Sequence, residues 1–333
     1  MVPAPTSISY GCRMAQPCAA QYSFRRKIIS CSVMVVAERI PGRRTRHVPR
    51  GTLRCPMRPL APLSFLVLAG CGMPGIAMLT GAAGSQTQGK GPVVTSNRTA
   101  KVVNRIVVTG GLELEVRVGS PSVKISAQRN IEPMIKTRYE NGTLTIAAEG
   151  DYSTSQPTRA VVHMPSLSHL SVGGGSTAVA QGFKTQVLDL SATGAGEILW
   201  KGDAARLNAI STGGGTVRLK GTAKSATMEA NGAAAVDIDR LDGGDLTLRL
   251  SGASHATIPG RAGKLKVIAS GASDANLGTL TSHYAEVQAD GASTVKIGRT
   301  GKGWAKANGA SRVEYRGKLD RVEAESAAEI VSK

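Results

Sequence analysis

The densest group of carboxylates in the sequence consists of four aspartates, Asp237, Asp239, Asp242 and Asp245. Two carboxylates that face one cleft at about 5–10 Å could hydrolyse a glycosidic bond, and oxygen ligands at such spacings also attract hard cations. On a strand, Asp237 and Asp239 would face the same side about 7 Å apart. The neighbouring residues lack the ligand order of a calcium loop, and Gly243-Gly244-Asp245 occurs once, whereas calcium-binding repeats recur. We therefore interpret the group as a solvated strand face followed by a turn.

The residues that could supply a nucleophile or its base are scattered. Four histidines (His163, His169, His255 and His283) follow no ligand spacing, and neither His-Glu-x-x-His nor Gly-x-Ser-x-Gly occurs around them. Gly173-Gly174-Gly175 precedes no helical pattern, which argues against a phosphate-binding loop. Ser254, Ser273, Ser293 and Ser311 recur too regularly for nucleophiles and are interpreted as an internal ladder. We predict no catalytic residue, no cofactor and no metal site.

Aromatic residues, which often form sugar-binding platforms, are few, and the chain has two tryptophans. Trp200 occupies the same repeat position as Leu219, Ile238 and Ile258, so it is predicted to lie in the core. Trp304 occupies an outward position near Lys302 and Lys306. It is the one candidate platform for a ligand, and a packed loop residue is the alternative.

The amino-terminal part of the chain, up to Ser85, is predicted to lie outside the fold. Residues 1–56 supply half of the net charge of +18 and show no sustained period, so they are interpreted as an unfolded or artefactual extension. Residues 57–85 combine a basic start, a short apolar stretch and small residues, which is typical of a secretory signal peptide. Within it, Leu68-Ala69-Gly70-Cys71 resembles a bacterial lipobox, so Cys71 is the predicted lipidation site; cleavage near residues 80–84 is the alternative.

All five cysteines lie at or before Cys71, which excludes a disulfide scaffold and a cysteine-ligated metal site from the rest of the chain. Residues 86–97 are polar and predicted to form a tether to a domain at 98–333. Without the extension and Arg58, the net charge falls to about +8. The remaining basic residues are distributed along the chain, which disfavours nucleic-acid binding.

A repeat of about nineteen residues organises the second half of the chain. Eight glycines recur at this interval, give or take one position, and Ser326 takes the place of a ninth. They are Gly174, Gly194, Gly213, Gly232, Gly252, Gly271, Gly291 and Gly309. Counted from each glycine, even positions carry apolar or small residues and odd positions carry the charges. Strict alternation indicates strands, and a single short coil can bury its apolar side only by stacking on its neighbours.

We therefore predict an all-β parallel β-solenoid with coils of about nineteen residues. The glycines, at position zero, and the serines two places later are expected to face a narrow lumen. A second set of glycines about eight residues further on (Gly182, Gly202, Gly221, Gly260 and Gly317) is expected to turn a corner.

The glycine-rich repeat resembles the bacterial head GIN domain over residues 98–333. Its first part fits as well, through Arg105-Ile106-Val107-Val108 and the predicted Asn141-Gly142 hairpin. Alanine or serine replaces part of the Gly-Ser-Gly triplet that this family often repeats, which leaves the coil geometry intact. The resemblance implies a right-handed parallel β-helix similar in shape to pectin lyases, and a role in cell adhesion.

The sequence thus predicts a non-catalytic protein of the cell envelope, exported to the periplasm, the outer membrane or the cell surface. A lipid anchor would hold it to a membrane, and its repetitive face would serve as an adhesin or scaffold. Its partner would be an envelope or extracellular polysaccharide, or another surface protein. The alternative is a carbohydrate-active enzyme, a polysaccharide lyase or hydrolase of the pectin-lyase shape, because the fold alone does not fix function.

Overall fold

The structure is a computed structural model, and it describes residues 86–333. Nearly all of its regular structure is strand, with one short 3-10 helix at Glu132–Met134. The strands are β1 (Thr87–Gln88), β2 (Val93–Arg98), β3 (Arg105–Thr109), β4 (Glu113–Val118), β5 (Ser122–Gln128), β6 (Ile135–Glu140), β7 (Thr143–Ala148), β8 (Tyr152–Ser153), β9 (Arg159–Met164), β10 (His169–Val172), β11 (Thr177–Ala192), β12 (Glu197–Gly213), β13 (Thr216–Gly232), β14 (Ala235–Asp242), β15 (Leu246–Gly252), β16 (His255–Thr257), β17 (Gly260–Ala269), β18 (Asp274–Leu277), β19 (Leu280–Ala289), β20 (Thr294–Ala307), β21 (Arg312–Gly317), β22 (Arg321–Ala324) and β23 (Glu329–Ser332).

From β10 onward the chain winds in stacked parallel coils. Ile198 pairs with Val217 and Val217 with Val236, a step of nineteen residues, and other coils advance by eighteen to twenty. The strand before each repeat glycine adds to one stack of strands, here called the first sheet. The strand after the glycine adds to another stack, the second sheet. The predicted parallel β-solenoid is confirmed.

The core follows from the alternation in the sequence. In β15, Leu246, Leu248 and Leu250 are buried, whereas Thr247 and Arg249 point outward. The same alternation recurs in successive coils, so inward apolar side chains stack into one continuous core. Burial of apolar surface stabilises a fold by about 25 cal/mol per Å². Because a single coil cannot bury its own apolar side chains, most of this stabilisation comes from contact with the two neighbouring coils.

Two sequence predictions about the interior are confirmed. Trp200 has no exposed surface, and its ring lies 5.5 Å from that of Phe183. The serine ladder is also internal. Ser254, Ser273, Ser293 and Ser311 are at most 1 % exposed.

The repeat glycines occupy a different place from the one predicted. Gly252 is exposed in a turn and has a φ of +80°, a conformation that L side chains rarely adopt. The other repeat glycines also have positive φ, and the amide of the residue after Gly252 donates to the carbonyl of Gly232 one coil earlier. The prediction that position zero faces the lumen is therefore wrong. These glycines form an exposed corner at which the chain passes from the first sheet to the second.

The segment before β3 is part of the fold. β2 pairs antiparallel with β5 from Val93 to Arg98, and β5 pairs antiparallel with β9, so these strands extend the second sheet beyond its first parallel coils. At the same end of the first sheet, β6 pairs antiparallel with β7 through the predicted hairpin, where Asn141 and Gly142 both have positive φ. The expected tether at 86–97 thus contains β1 and most of β2, and the fold begins before residue 98.

Candidate functional site

Cys71 lies outside the described residues, so its lipidation stays a prediction. Within residues 86–333, no helix is long and apolar enough to cross a membrane.

Three of the four aspartates of the acidic group, Asp237, Asp242 and Asp245, have separate partners. Asp237 Oδ2 lies 3.3 Å from the guanidinium of Arg218, and its Oδ1 accepts a hydrogen bond from the amide of Thr257 at 3.0 Å. Asp242 accepts from Arg261 at 2.9 Å, and this bond lowers the pKa of the Asp242 carboxyl. Asp245 accepts from the amide of Lys264. The group therefore does not converge on one point, and among residues 86–333 no three acidic, histidine or cysteine side chains are grouped as metal ligands.

One histidine belongs to an arrangement that the sequence analysis missed. His255 Nε2 lies 2.9 Å from Thr257 Oγ1, and His255 Nδ1 lies 3.6 Å from Asp274 Oδ2. A hydroxyl, an imidazole and a carboxylate in this order are the side-chain types of an activated nucleophile. The three side chains lie on the outer surface of the second sheet, and the side chains of His255 and Asp274 are nearly half exposed.

The backbone amides of these three residues do not supply the other half of such a site. The amides of His255 and Asp274 donate to carbonyls of the preceding coil, and the amide of Thr257 donates to Asp237. Catalysis of acyl transfer needs free donors aimed at the developing oxyanion. The amides of these three residues are all engaged, so we interpret the three side chains as a surface hydrogen-bond chain.

A groove of about 370 Å³ lies at the corner that follows the second sheet. Lys184, Asp203, Thr222, Lys224 and Asp242 contribute to its wall, and we call it the corner groove. Asp203 Oδ1 accepts a hydrogen bond from the amide of Thr222 at 2.9 Å. The register places Asp203 beside Thr222, and Thr222 beside the residue two before Asp242. The two aspartates thus lie two coils apart, which is about 10 Å or more.

Trp304 lies on β20, in a strand rather than a loop, and its side chain is half-buried on the outer surface of the first sheet. It is paired with Glu286 on one side and Arg321 on the other. Tyr284, on the neighbouring strand β19, also points outward and is paired with Lys302. The sequence analysis missed Tyr284, although it too falls at an odd distance from its repeat glycine.

Basic side chains surround these two aromatic rings. The ammonium of Lys264 lies 5.7 Å from the ring centre of Tyr284 and 2.9 Å from a carboxylate oxygen of Glu286. The hydrogen bond with Glu286 raises the pKa of Lys264, which keeps it charged. Lys266 reaches the other oxygen of Glu286 at 3.9 Å. We call this surface the aromatic patch; it comprises Lys264, Lys266, Tyr284, Glu286, Lys302, Trp304 and Arg321.

Comparison with solved structures finds the same fold in bacterial proteins. A putative adhesin from Parabacteroides merdae is 14% identical, with a TM-score of 0.53. A putative lipid binding protein from Parabacteroides distasonis is 13% identical, with a TM-score of 0.54. A putative adhesin from Bacteroides fragilis is 17% identical, with a TM-score of 0.50. Each match covers 74% of this chain and 99% of the other. At these identities the likeness concerns the fold alone.

None of the curated proteins matches the chain. The family model described as "Putative auto-transporter adhesin, head GIN domain" matches residues 103–259 and 230–318. These two matches overlap, cover more than half of the chain and include the coils described above. The protein therefore belongs to the head GIN domain family.

Proposed function

We propose that this protein is an exported, non-catalytic adhesin of the cell envelope that holds its ligand on the outer surface of the solenoid. Membership of the adhesin family supports this role. The observation that carries it is the aromatic patch, where neighbouring strands bring Tyr284 and Trp304 to one outward face, two residues out of register, among polar side chains. Parallel pairing fixes these side chains on a rigid sheet, so little conformational entropy is lost when a ligand binds.

We also propose that acylated Cys71 anchors the protein to a membrane. A single acyl chain holds a protein only marginally, and stable attachment takes more than one. The multiple acylation of a bacterial lipoprotein cysteine would meet this requirement. The solenoid would then act at the envelope as a surface scaffold as well as an adhesin.

The corner groove favours the alternative, a carbohydrate-active enzyme. It combines two carboxylates with two lysines on successive coils. An inverting glycosidase needs carboxylates about 6.5–9.5 Å apart, one of them with a raised pKa. Asp203 and Asp242 lie at or beyond that separation, and Arg261 lowers the pKa of Asp242. The groove therefore supports binding of a polar chain better than its cleavage.

Adhesion can be tested with cells that express the full chain and cells that lack it. Both are applied to surfaces coated with envelope or extracellular polysaccharides, and intact cells are labelled with an antibody against the solenoid. We expect labelling and adhesion only where the protein is present. Equal adhesion of the two strains, or no labelling of intact cells that express the protein, would contradict the proposal.

A further inference from the structure

We propose that the aromatic patch is a binding site for an acidic polysaccharide, one whose sugar units carry carboxylates. This inference rests on the proposed function and names the ligand class and the residues that bind it. The polysaccharide would stack a sugar face on Trp304, contact Tyr284 and place its carboxylates beside the lysines.

The composition of the patch supports an anionic ligand. Four of its seven side chains are cations, and Glu286 is the one carboxylate among them. Lys264 and Lys266 share that carboxylate, and Arg321 pairs with Glu323 in the adjacent column. Among the described residues, Lys302 has no carboxylate within salt-bridge distance. An anion bound here would therefore meet cationic charge that the protein itself does not neutralise.

The geometry of the patch suits an extended chain. Tyr284 and Trp304 are on neighbouring strands and two residues out of register, so their Cα atoms are about 8 Å apart. Lys302 is directly beside Tyr284 and two residues before Trp304, on the same outward face. One oligosaccharide could thus contact both rings and the free ammonium. Within residues 86–333, no cation lies over the ring of Trp304, unlike that of Tyr284, and the Trp304 side chain is partly exposed.

The chain itself provides a spectroscopic probe. Trp200 and Trp304 are its two tryptophans, and Trp200→Phe leaves Trp304 as the sole reporter. Trp200 Nε1 has no hydrogen-bond partner among the described residues, so this substitution removes no hydrogen bond. The full-length Trp200→Phe protein, with its fold checked by circular dichroism, is titrated with polygalacturonate and with neutral dextran at low salt.

We expect polygalacturonate to change the Trp304 fluorescence and dextran to leave it unchanged. In the chain that retains Trp200, Trp304→Ala should weaken polygalacturonate binding about tenfold in affinity electrophoresis. Lys302→Gln should weaken it about threefold, as for loss of one exposed charge contact. The matched control is Lys124→Gln on β5, an exposed lysine outside both the aromatic patch and the corner groove, which removes the same charge elsewhere and should leave the affinity unchanged.

Three results would overturn the inference. Equal fluorescence responses to dextran and polygalacturonate would show that binding does not require an anionic ligand. Equal losses in Lys302→Gln and Lys124→Gln would show general electrostatic attraction, and an unchanged affinity in Trp304→Ala would place binding elsewhere. If cells with Trp304→Ala adhere normally while cells lacking the protein do not, this site is refuted and the proposed function stands.

Discussion

We expect Gly252→Val, a substitution at the exposed corner of repeat glycines, to destabilise the protein by about 2–5 kcal/mol. Two effects contribute. A valine forced to keep a φ near +80° is strained by about 1–2 kcal/mol. Its Cβ would also lie 2.6 Å from the carbonyl oxygen of Gly232, closer than real Cβ atoms approach. Relief of such overpacking typically costs about 1–3 kcal/mol.

The chain offers two controls that separate these effects. Gly243 has a φ of +90°, but a Cβ placed there would have no atom within 4 Å. Gly243→Val should therefore show the backbone strain without the clash. Ala253, next to Gly252, is exposed and its φ is not positive, so Ala253→Val should show neither effect.

The assay is thermal unfolding of the three variants, followed by far-ultraviolet circular dichroism. At about 2–4 °C per kcal/mol, Gly252→Val should melt about 10 °C below the unchanged chain, Gly243→Val less far below it, and Ala253→Val close to it. Equal melting of Gly252→Val and Gly243→Val would show that the close approach of successive turns costs nothing. Equal melting of all three would also refute the argument from positive φ.

Three further predictions concern the anchor, catalysis and pH. Cys71→Ser should move the protein from the membrane fraction to the soluble fraction, and unchanged fractionation would contradict the lipobox. The full chain, incubated with acidic and neutral polysaccharides with and without calcium, should release no reducing ends or unsaturated products; turnover that Asp203→Asn or Asp237→Asn abolishes would favour the enzyme. Lys333 and Arg312 hold the pKa of Glu314 at about 2, against 4.5 for the ordinary side chain. This carboxylate should therefore stabilise the fold above pH 4.5 and lose that contribution as the pH falls towards 2. Urea unfolding at pH 7 and pH 3 should show a smaller pH dependence in Glu314→Gln than in the unchanged chain.

The solenoid was predictable because its period and its alternation are both local properties of the sequence. Whether the repeat glycines face the lumen or the solvent was not predictable in this way, and the reason is geometric. Leu250 and Ser254 both face inward, so strict alternation assigns Gly252 to the same side. A positive φ at Gly252 interrupts the strand, and alternation applies only within a strand. The same turn at Ser326, where φ is +63°, shows that the conformation belongs to the position and is not confined to glycine.

Groups of side chains from two coils depend on the register in which the strands pair. This register is harder to predict from a sequence than the position of a strand. His255 and Asp274 are nineteen residues apart, so the mean period alone could have paired them. Tyr284 and Trp304 lie on coils where the register advances by one residue fewer, as in the pairing of Tyr284 with Lys302. Because the length of a coil varies by about one residue on either side of nineteen, the spacing in the sequence does not show which outward column contains Trp304. The aromatic patch could therefore be identified only from the strand pairing in the structure.

The early start of the fold bears on how an anchored solenoid could work. A stack of coils leaves unpaired strand edges at its ends, and exposed edges promote unwanted pairing. β2 covers one such edge by pairing with β5, so residues 93–98 are needed as part of the structure. If lipid is attached at Cys71, the chain between the anchor and β1 is then about fifteen residues, which spans at most about 55 Å. The anchor would thus keep the solenoid near its membrane, and a ligand on the aromatic patch would have to be a polymer that reaches this layer.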